Sequence, residues 1–218
     1  MNYKYSVFIS YKRDCFDMKF LENFKEMIQT EAGAATGVSK VFIDKESIKP
    51  GEEFDKKIYD CIPYSCFFIP LYQYMYLDEN RIYCALELFH AIEVEKRIRI
   101  TKPEFCFILP LIHRGEPKDL PKCIEKKNAL LIHLFESDII TRSSARKYLD
   151  LKREICKVLY NNFRLLHDIE DVNELCNDIH RPDKEEILEW IRDHNSNLYE
   201  QEKNKTPKLK INGEQIAR

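Results

Sequence analysis

One carboxylate stands out by its surroundings. Between Ile82 and Ile92 the chain reads IYCALELFHAI, and Glu87 is the single charged residue of the run. No Gly or Pro interrupts it, and Leu, Ala and Glu favour helix. The expected helix therefore has an unusually wide apolar surface with one acid set into it. Carboxylates are almost never buried unless paired, yet no Lys or Arg stands three or four residues away on either side. Tyr83 precedes Glu87 by one helical turn and shares its face. A carboxylate beside an aromatic platform in an apolar wall is a minimal kit for stabilising a developing cation. The competing reading is an ion pair with a distant Lys or Arg. Tyr83, in turn, is equally a core aromatic whose hydroxyl finds a partner.

The elements that must position this pair follow from the apolar pattern. Residues 5–10, 40–43, 66–71, 105–112 and 129–135 are short, β-rich, continuously apolar runs. Residues 16–29, with apolar positions at 16, 20, 21, 24, 27 and 28, have helical spacing; Gly33 and Gly37 are expected to close that helix. Helices are also expected over 54–62, from Asp78 as N-cap to about Lys96, and from about 141 to 160. Strands and helices alternate five times, and the strands are not patterned in–out. Both features predict a parallel sheet covered on both faces: an α/β, flavodoxin-like, doubly wound five-stranded sheet of order 2-1-3-4-5. Pro70 is expected to end the third strand's ladder.

In such sheets the ligand crevice lies beyond the strand carboxyl ends, where the order reverses. Here that is the gap between strands 1 and 3. It is flanked by Ser10, Tyr11, Lys12 and Arg13 after strand 1, and by the 71–80 loop and the start of the Glu87 helix after strand 3. Beyond residue 160, an amphipathic helix is expected over 164–180. Asp183 and Glu186 form a capping-box pattern ahead of a final helix that carries the only tryptophan, Trp190. Residues 197–218 are polar and Lys-rich, and a loose tail is expected there. The organisation read from the chain is thus a domain over 1–162, a helical extension over 163–196 and a tail over 197–218.

Composition excludes several classes. The 218 residues carry 35 basic and 37 acidic side chains, a formal charge of −2, which argues against nucleic acid or an anionic membrane as main partner. No apolar run reaches membrane-spanning length, and the first residues lack the apolar core of a signal peptide. The eight cysteines are scattered through apolar runs without metal-ligand spacing, which predicts reduced, small, buried side chains in a cytoplasmic protein. No P-loop or Gly-rich dinucleotide motif is present.

Four segments together resemble the Toll/interleukin-1 receptor (TIR) domain family. "YSVFISYKRD" is similar to its first strand, and "VFIDKESIKPGEEF" to the BB loop that follows strand 2. "FILPLIHR" is similar to its fourth strand, and "YCALE" to the WCxxE motif of the members that act on NAD. The match covers about residues 3 to 160 in order. The resemblance implies a TIR NAD glycohydrolase or cyclase, with Glu87 essential for cleaving the nicotinamide–ribose bond. NAD is then substrate rather than cofactor, and no metal is required. Standalone members of this kind resemble prokaryotic anti-phage signalling proteins, such as the TIR component of Thoeris-type systems, whose product a separate effector reads. The resemblance also implies self-association through the BB loop, residues 44–54. Many TIR domains are adaptors that only self-associate, and that scaffold role is the alternative. The chain departs from the family at Tyr83, where Trp is usual.

Nicotinamide in NAD is already a cationic leaving group, so one carboxylate and a stacking surface suffice without a general acid. Lys12 and Arg13 are read either as pyrophosphate ligands or as solvated loop charges. Ser10 and Tyr11 are read as ligand contacts or as ordinary turn residues. Phe42 and Ile48 line either the site or an interface. Tyr72, Tyr74 and Tyr76 form a lid or are inert loop tyrosines, and His90 has no assigned role.

Overall fold

The computed structural model describes residues 3–12, 18–43, 54–132, 142–167, 172–195, 209–211 and 214–216. Its centre is β1, Val7–Tyr11, a strand with every residue buried. On one side β1 pairs with β2, Val41–Ile43, in the register Val7↔Val41. On the other it pairs with β3, Phe68–Tyr72, with Phe8 opposite Phe68. β4, Leu111–Ile112, and β5, Leu130–Leu131, complete the sheet. All pairings are parallel and the order is β2-β1-β3-β4-β5. This is the flavodoxin-like arrangement that the alternation of apolar runs and helices predicts. Phe8 stacks on Phe42 with ring centroids 4.6 Å apart and on Phe68 at 5.5 Å, so the central strands share an aromatic seam.

The crossover helices divide into two groups. α1, Met18–Thr36, packs along α4, Arg142–His167. α2, Phe54–Cys61, packs against α3, Tyr83–Thr101, which also touches β1. Two more helices lie on α3: α5, Val172–Cys176, and α6, Lys184–His194. α6 starts at the expected capping box, where Asp183 accepts from the Glu186 N–H at 2.9 Å and Glu186 accepts from the Asp183 N–H at 2.9 Å. Ile187 and Ile191 of α6 are fully buried in the main core. Trp190 meets Phe89 of α3 edge-on at 5.8 Å and stacks on His194 at 4.5 Å. α4 runs through residue 162 without interruption, and α5 and α6 add to the main core rather than building one of their own. Trp190→Ala is therefore expected to cost about 2 kcal/mol, less than a fully buried tryptophan would. A urea titration followed by far-UV circular dichroism reads this directly.

Several expectations are corrected. α1 runs through Gly33 and stops at Gly37, whose φ of 71° is the left-handed cap that glycine tolerates. Gly33 instead makes room for the returning chain, because a Cβ there would meet the Ser39 Cβ at 3.2 Å. Pro70 does not end β3, which continues to Tyr72. Its cost falls on the β4 side. Phe68 donates to Phe107 and Leu109 donates back to Phe68, so the next donor in the ladder would be the N–H that Pro70 lacks. Pairing there is a single bridge, Phe68↔Ile108, followed by the short ladder from Leu111. This is why the expected strand 105–112 shortens to two residues. Of the helix expected over 164–180, the described parts are the end of α4, to His167, and α5, Val172–Cys176. Within the tail, expected to be loose, β6, Leu209–Ile211, pairs antiparallel with β7, Glu214–Ile216. Among the described cysteines no disulfide forms.

Candidate functional site

The order reversal between β1 and β3 sets the site. Parallel pairing ends both strands at the same edge, with Tyr11 opposite Leu71. Ser10 is buried there, and its hydroxyl and that of Tyr76 hydrogen-bond to each other at 2.5 Å. Tyr76 is delivered by the loop after β3. That loop turns on a Tyr76 N–H to Gln73 carbonyl bond of 3.0 Å, with Met75 at φ 63°. A left-handed methionine is uncommon and strained, so the loop holds Tyr76 inward at a conformational cost. Burial keeps the Tyr76 phenol well above its ordinary pKa; Cys84 and the Glu87 carboxylate lie close enough to raise it further, and the Ser10 bond offsets this only in part. Tyr76 is thus a neutral hydroxyl at any working pH, and it links Ser10 of β1 to the Glu87 region of α3.

Glu87 sits one turn into α3 and keeps 3 % of its surface exposed. Tyr83, the first residue of that helix, is 48 % exposed. The two were expected on one face; they differ in depth, with Glu87 buried and Tyr83 half exposed. The N-cap of α3 is Ile82, with no capping side chain, so Asp78 is not the cap that the sequence suggests. Asp78 instead accepts from the Asn80 N–H at 3.0 Å and from Lys12 Nζ at 2.7 Å.

That ion pair settles Lys12. It is neither a solvated loop charge nor an open cation, because its side chain keeps 12 % of its surface and Asp78 keeps 7 %. Burial alone would push the Asp78 carboxyl up; the hydrogen bond from Lys12, with those from Asn80, outweighs burial and holds it below its ordinary value. A depressed folded pKa contributes stability above the unfolded value, and that stability is lost as pH falls through the folded one. Asp78→Asn is therefore expected to lower stability by about 2 kcal/mol at neutral pH. It is also expected to flatten the decline of Tm with acid below pH about 5. Calorimetric Tm values of both proteins from pH 7 to 3 check this.

The other sequence candidates divide as follows. Tyr11 is buried at the end of β1. Phe42 has no exposed surface: it stacks on Phe8 and takes Tyr5 edge-on at 5.2 Å, so it is a core aromatic and not a wall of the crevice. Of the three loop tyrosines, Tyr72 and Tyr76 are buried and Tyr74 faces outward, which makes a tyrosine lid untenable. Arg13, Ile48 and the segment 44–53 of the BB loop lie outside the described residues. Sequence reasoning misplaced Tyr76 and Asp78. Each is bonded to a residue 66 positions away, and no local pattern announces such a pairing. Among the described residues, no cluster of His, Cys, Asp and Glu could hold a metal ion.

α3 carries a second buried carboxylate, Glu95, and its partners are all structural. Its Oε1 lies 2.6 Å from Lys127 Nζ, and its Oε2 accepts the Ile108 N–H at 2.9 Å. Glu95 ties α3 to the segments entering β4 and β5.

No protein-family model matches the sequence, and no curated protein matches it. Among solved structures, the chain is similar to the TIR domains in "Structure of the activated Roq1 resistosome directly recognizing the pathogen effector XopQ". The identity is 18 %, over 86 % of this chain and 97 % of that chain, with a TM-score of 0.38. A likeness at that level carries no argument about the site, and the fold rests on the strand order itself.

Proposed function

We propose that the protein cleaves the nicotinamide–ribose bond of NAD, as glycohydrolase or cyclase. The reading rests on one observation above the others. The Glu87 carboxylate is buried and close to the neutral Tyr76–Ser10 pair, whose Ser10 belongs to the strand at the topological switch point. The motif resemblance of residues 3 to 160 to NAD-consuming TIR proteins supports it. Cleavage breaks the bond between the ribose anomeric carbon and the pyridinium nitrogen. The electron pair goes to nitrogen, releasing neutral nicotinamide and leaving an oxocarbenium ion. Glu87 stabilises that cation from a site that excludes water, where its field is strongest. Water then adds and loses a proton, giving ADP-ribose, or an adenine ring nitrogen adds, giving a cyclic isomer. Tyr83 at the rim is the stacking surface for the leaving ring. Ser10 and Tyr76 position the carboxylate. Lys12, already committed to Asp78, contributes field rather than a free phosphate contact. In this reading the product is a signal in anti-phage defence, taken up by a separate effector, and the protein works in the cytoplasm as a self-associated assembly.

The depth of Glu87 favours a second reading. A carboxylate with 3 % of its surface open is also what a non-catalytic scaffold would hold in its core. The two readings separate in one experiment. The purified chain, at concentrations high enough to assemble, is incubated with NAD and the products are separated by liquid chromatography. Nicotinamide release in equal amount with ADP-ribose or a cyclic isomer supports the enzyme. Intact NAD, even in a concentrated assembly, leaves the scaffold.

A further inference from the structure

Helix α4 packs along α1, and its residues Leu151, Ile155, Leu159 and Leu166 are buried. Its opposite face is open. There Arg146, Leu149, Arg153, Lys157, Tyr160 and Arg164 follow one another at three- and four-residue steps, so they line up in one stripe along the helix. The stripe runs about 27 Å from Arg146 to Arg164. All six side chains are exposed, and Leu149 and Tyr160 show 50 % and 53 % of their surface. Two large apolar side chains thus lie in water among four cations. Arg153 and Lys157 stand one turn apart and repel each other. Asp150, 3.5 Å from Arg153, offsets one of these charges, and Glu154 stands on the same flank. The stripe itself stays positive.

Helix α6 presents the opposite sign. It turns Ile187 and Ile191 into the core, and Glu185, Glu189 and Asp193 are exposed at four-residue steps on its outer side. Arg192, at the edge of this row, is 3.7 Å from Glu79. Leu188, half-buried, borders the carboxylates. The step from Glu189 to Asp193 equals the step from Arg153 to Lys157. α4 lies along α1 whereas α6 lies on α3, and among the described residues no ion pair joins the two stripes.

We infer that the α4 stripe is a docking surface for the α6 carboxylates of a second copy of this chain. Each copy offers one stripe of each sign, so the contact is head-to-tail: a pair leaves one stripe open at each end, and further copies add until a ring closes or a filament grows. The carboxylates of α6 meet Arg153 and Lys157, and Leu149 and Tyr160 lose water at the same contact. A phosphate backbone or an anionic membrane fits worse, because Asp150 and Glu154 would face its charges. A contact made by one helix on each side is small, so the association is weak and transient. It uses neither Glu87 nor residues 44–54. It therefore adds a surface to the assembly proposed above and does not depend on the reaction with NAD.

The test is sedimentation velocity of the full chain without NAD, at about 20 to 500 µM. The sedimentation coefficient is expected to rise with concentration at low salt, and the association constant to fall at least about tenfold between about 50 and 500 mM sodium chloride. Arg153→Glu/Lys157→Glu and Glu189→Lys/Asp193→Lys change only exposed positions to good helix formers. Each variant alone should stay monomeric over that range. Their equimolar mixture should associate again, because the first keeps the acidic α6 and the second keeps the basic α4. Far-UV circular dichroism checks each variant. If a double variant fails to fold, Lys157→Glu or Glu189→Lys takes its place, with a partial loss expected. Three results would overturn the assignment. A wild-type chain that stays monomeric at the highest concentration in low salt has no such contact. Association unchanged in both folded variants runs through another surface. A mixture that stays monomeric means that the two stripes do not meet.

Discussion

Glu87→Gln is expected to reduce NAD cleavage by at least about 10³-fold while Tm moves by only a few degrees. The two side chains have the same shape, so the substitution removes charge and little else. In the proposed step the cation forms beside the carboxylate, within apolar walls that weaken screening. An amide offers a dipole where a full negative charge is needed. The burial of Glu87 makes the control essential, because a structural carboxylate would also be sensitive to substitution. A structural role moves Tm, and any lost activity then follows the folded fraction. A catalytic role moves turnover at constant Tm. Ser10→Ala and Tyr76→Phe both break the 2.5 Å hydroxyl pair and keep the carboxylate. Their expected effect on turnover is smaller than that of Glu87→Gln. Turnover unchanged in Glu87→Gln removes the residue from the mechanism.

The sheet was legible because its strands are buried on both faces. A strand such as VFISY has no solvent side, so it reads as an apolar run, and five such runs alternating with helices leave few topologies. That the Glu87 helix lies against β1 followed from the same logic, since the neighbours of β1 are a property of strand order. Glu87 was also conspicuous because its neighbours are apolar. Glu95 was not, because it stands in EVEKR, where a charge looks like surface. Yet both are buried, and the partners of Glu95 come from residues 108 and 127.

What the sequence hid was long-range pairing and ladder chemistry. Lys12 looked available because its partner is Asp78, and Asp78 looked like a cap because a helix begins soon after it. Tyr76 looked like loop surface because nothing local says that Ser10 waits for its hydroxyl. Phe42 looked like a site wall because it adjoins the BB loop, but alternation along a three-residue strand turned it onto Phe8.

The largest stability effect is expected at Glu95, and the pattern across variants identifies its cause. Glu95→Ala should cost about 3–5 kcal/mol, in the range for breaking a buried ion pair. Three losses combine: the 2.6 Å contact with Lys127, the acceptor for the Ile108 N–H, and the packing of the side chain in α3. Glu95→Gln keeps the shape and an acceptor for Ile108, and Lys127, partly exposed, turns toward water. Its cost should be only about 1–2 kcal/mol. Lys127→Met leaves the carboxylate enclosed, with Arg99 at 4.0 Å as its remaining cation, and should fall between these two. The Ile108 bond matters beyond its own strength. It fixes the chain where Pro70 has already removed a donor from the β3–β4 ladder, and only the bridge Phe68↔Ile108 spans that gap. Losing the Glu95 acceptor should therefore loosen β4 and β5 before the rest of the sheet. Amide exchange at Ile112 and Ile132 should accelerate more in Glu95→Ala than exchange at Phe8 and Ile9. Equal acceleration across all strands would mean that Glu95 contributes only to global stability and does not pin the sheet edge.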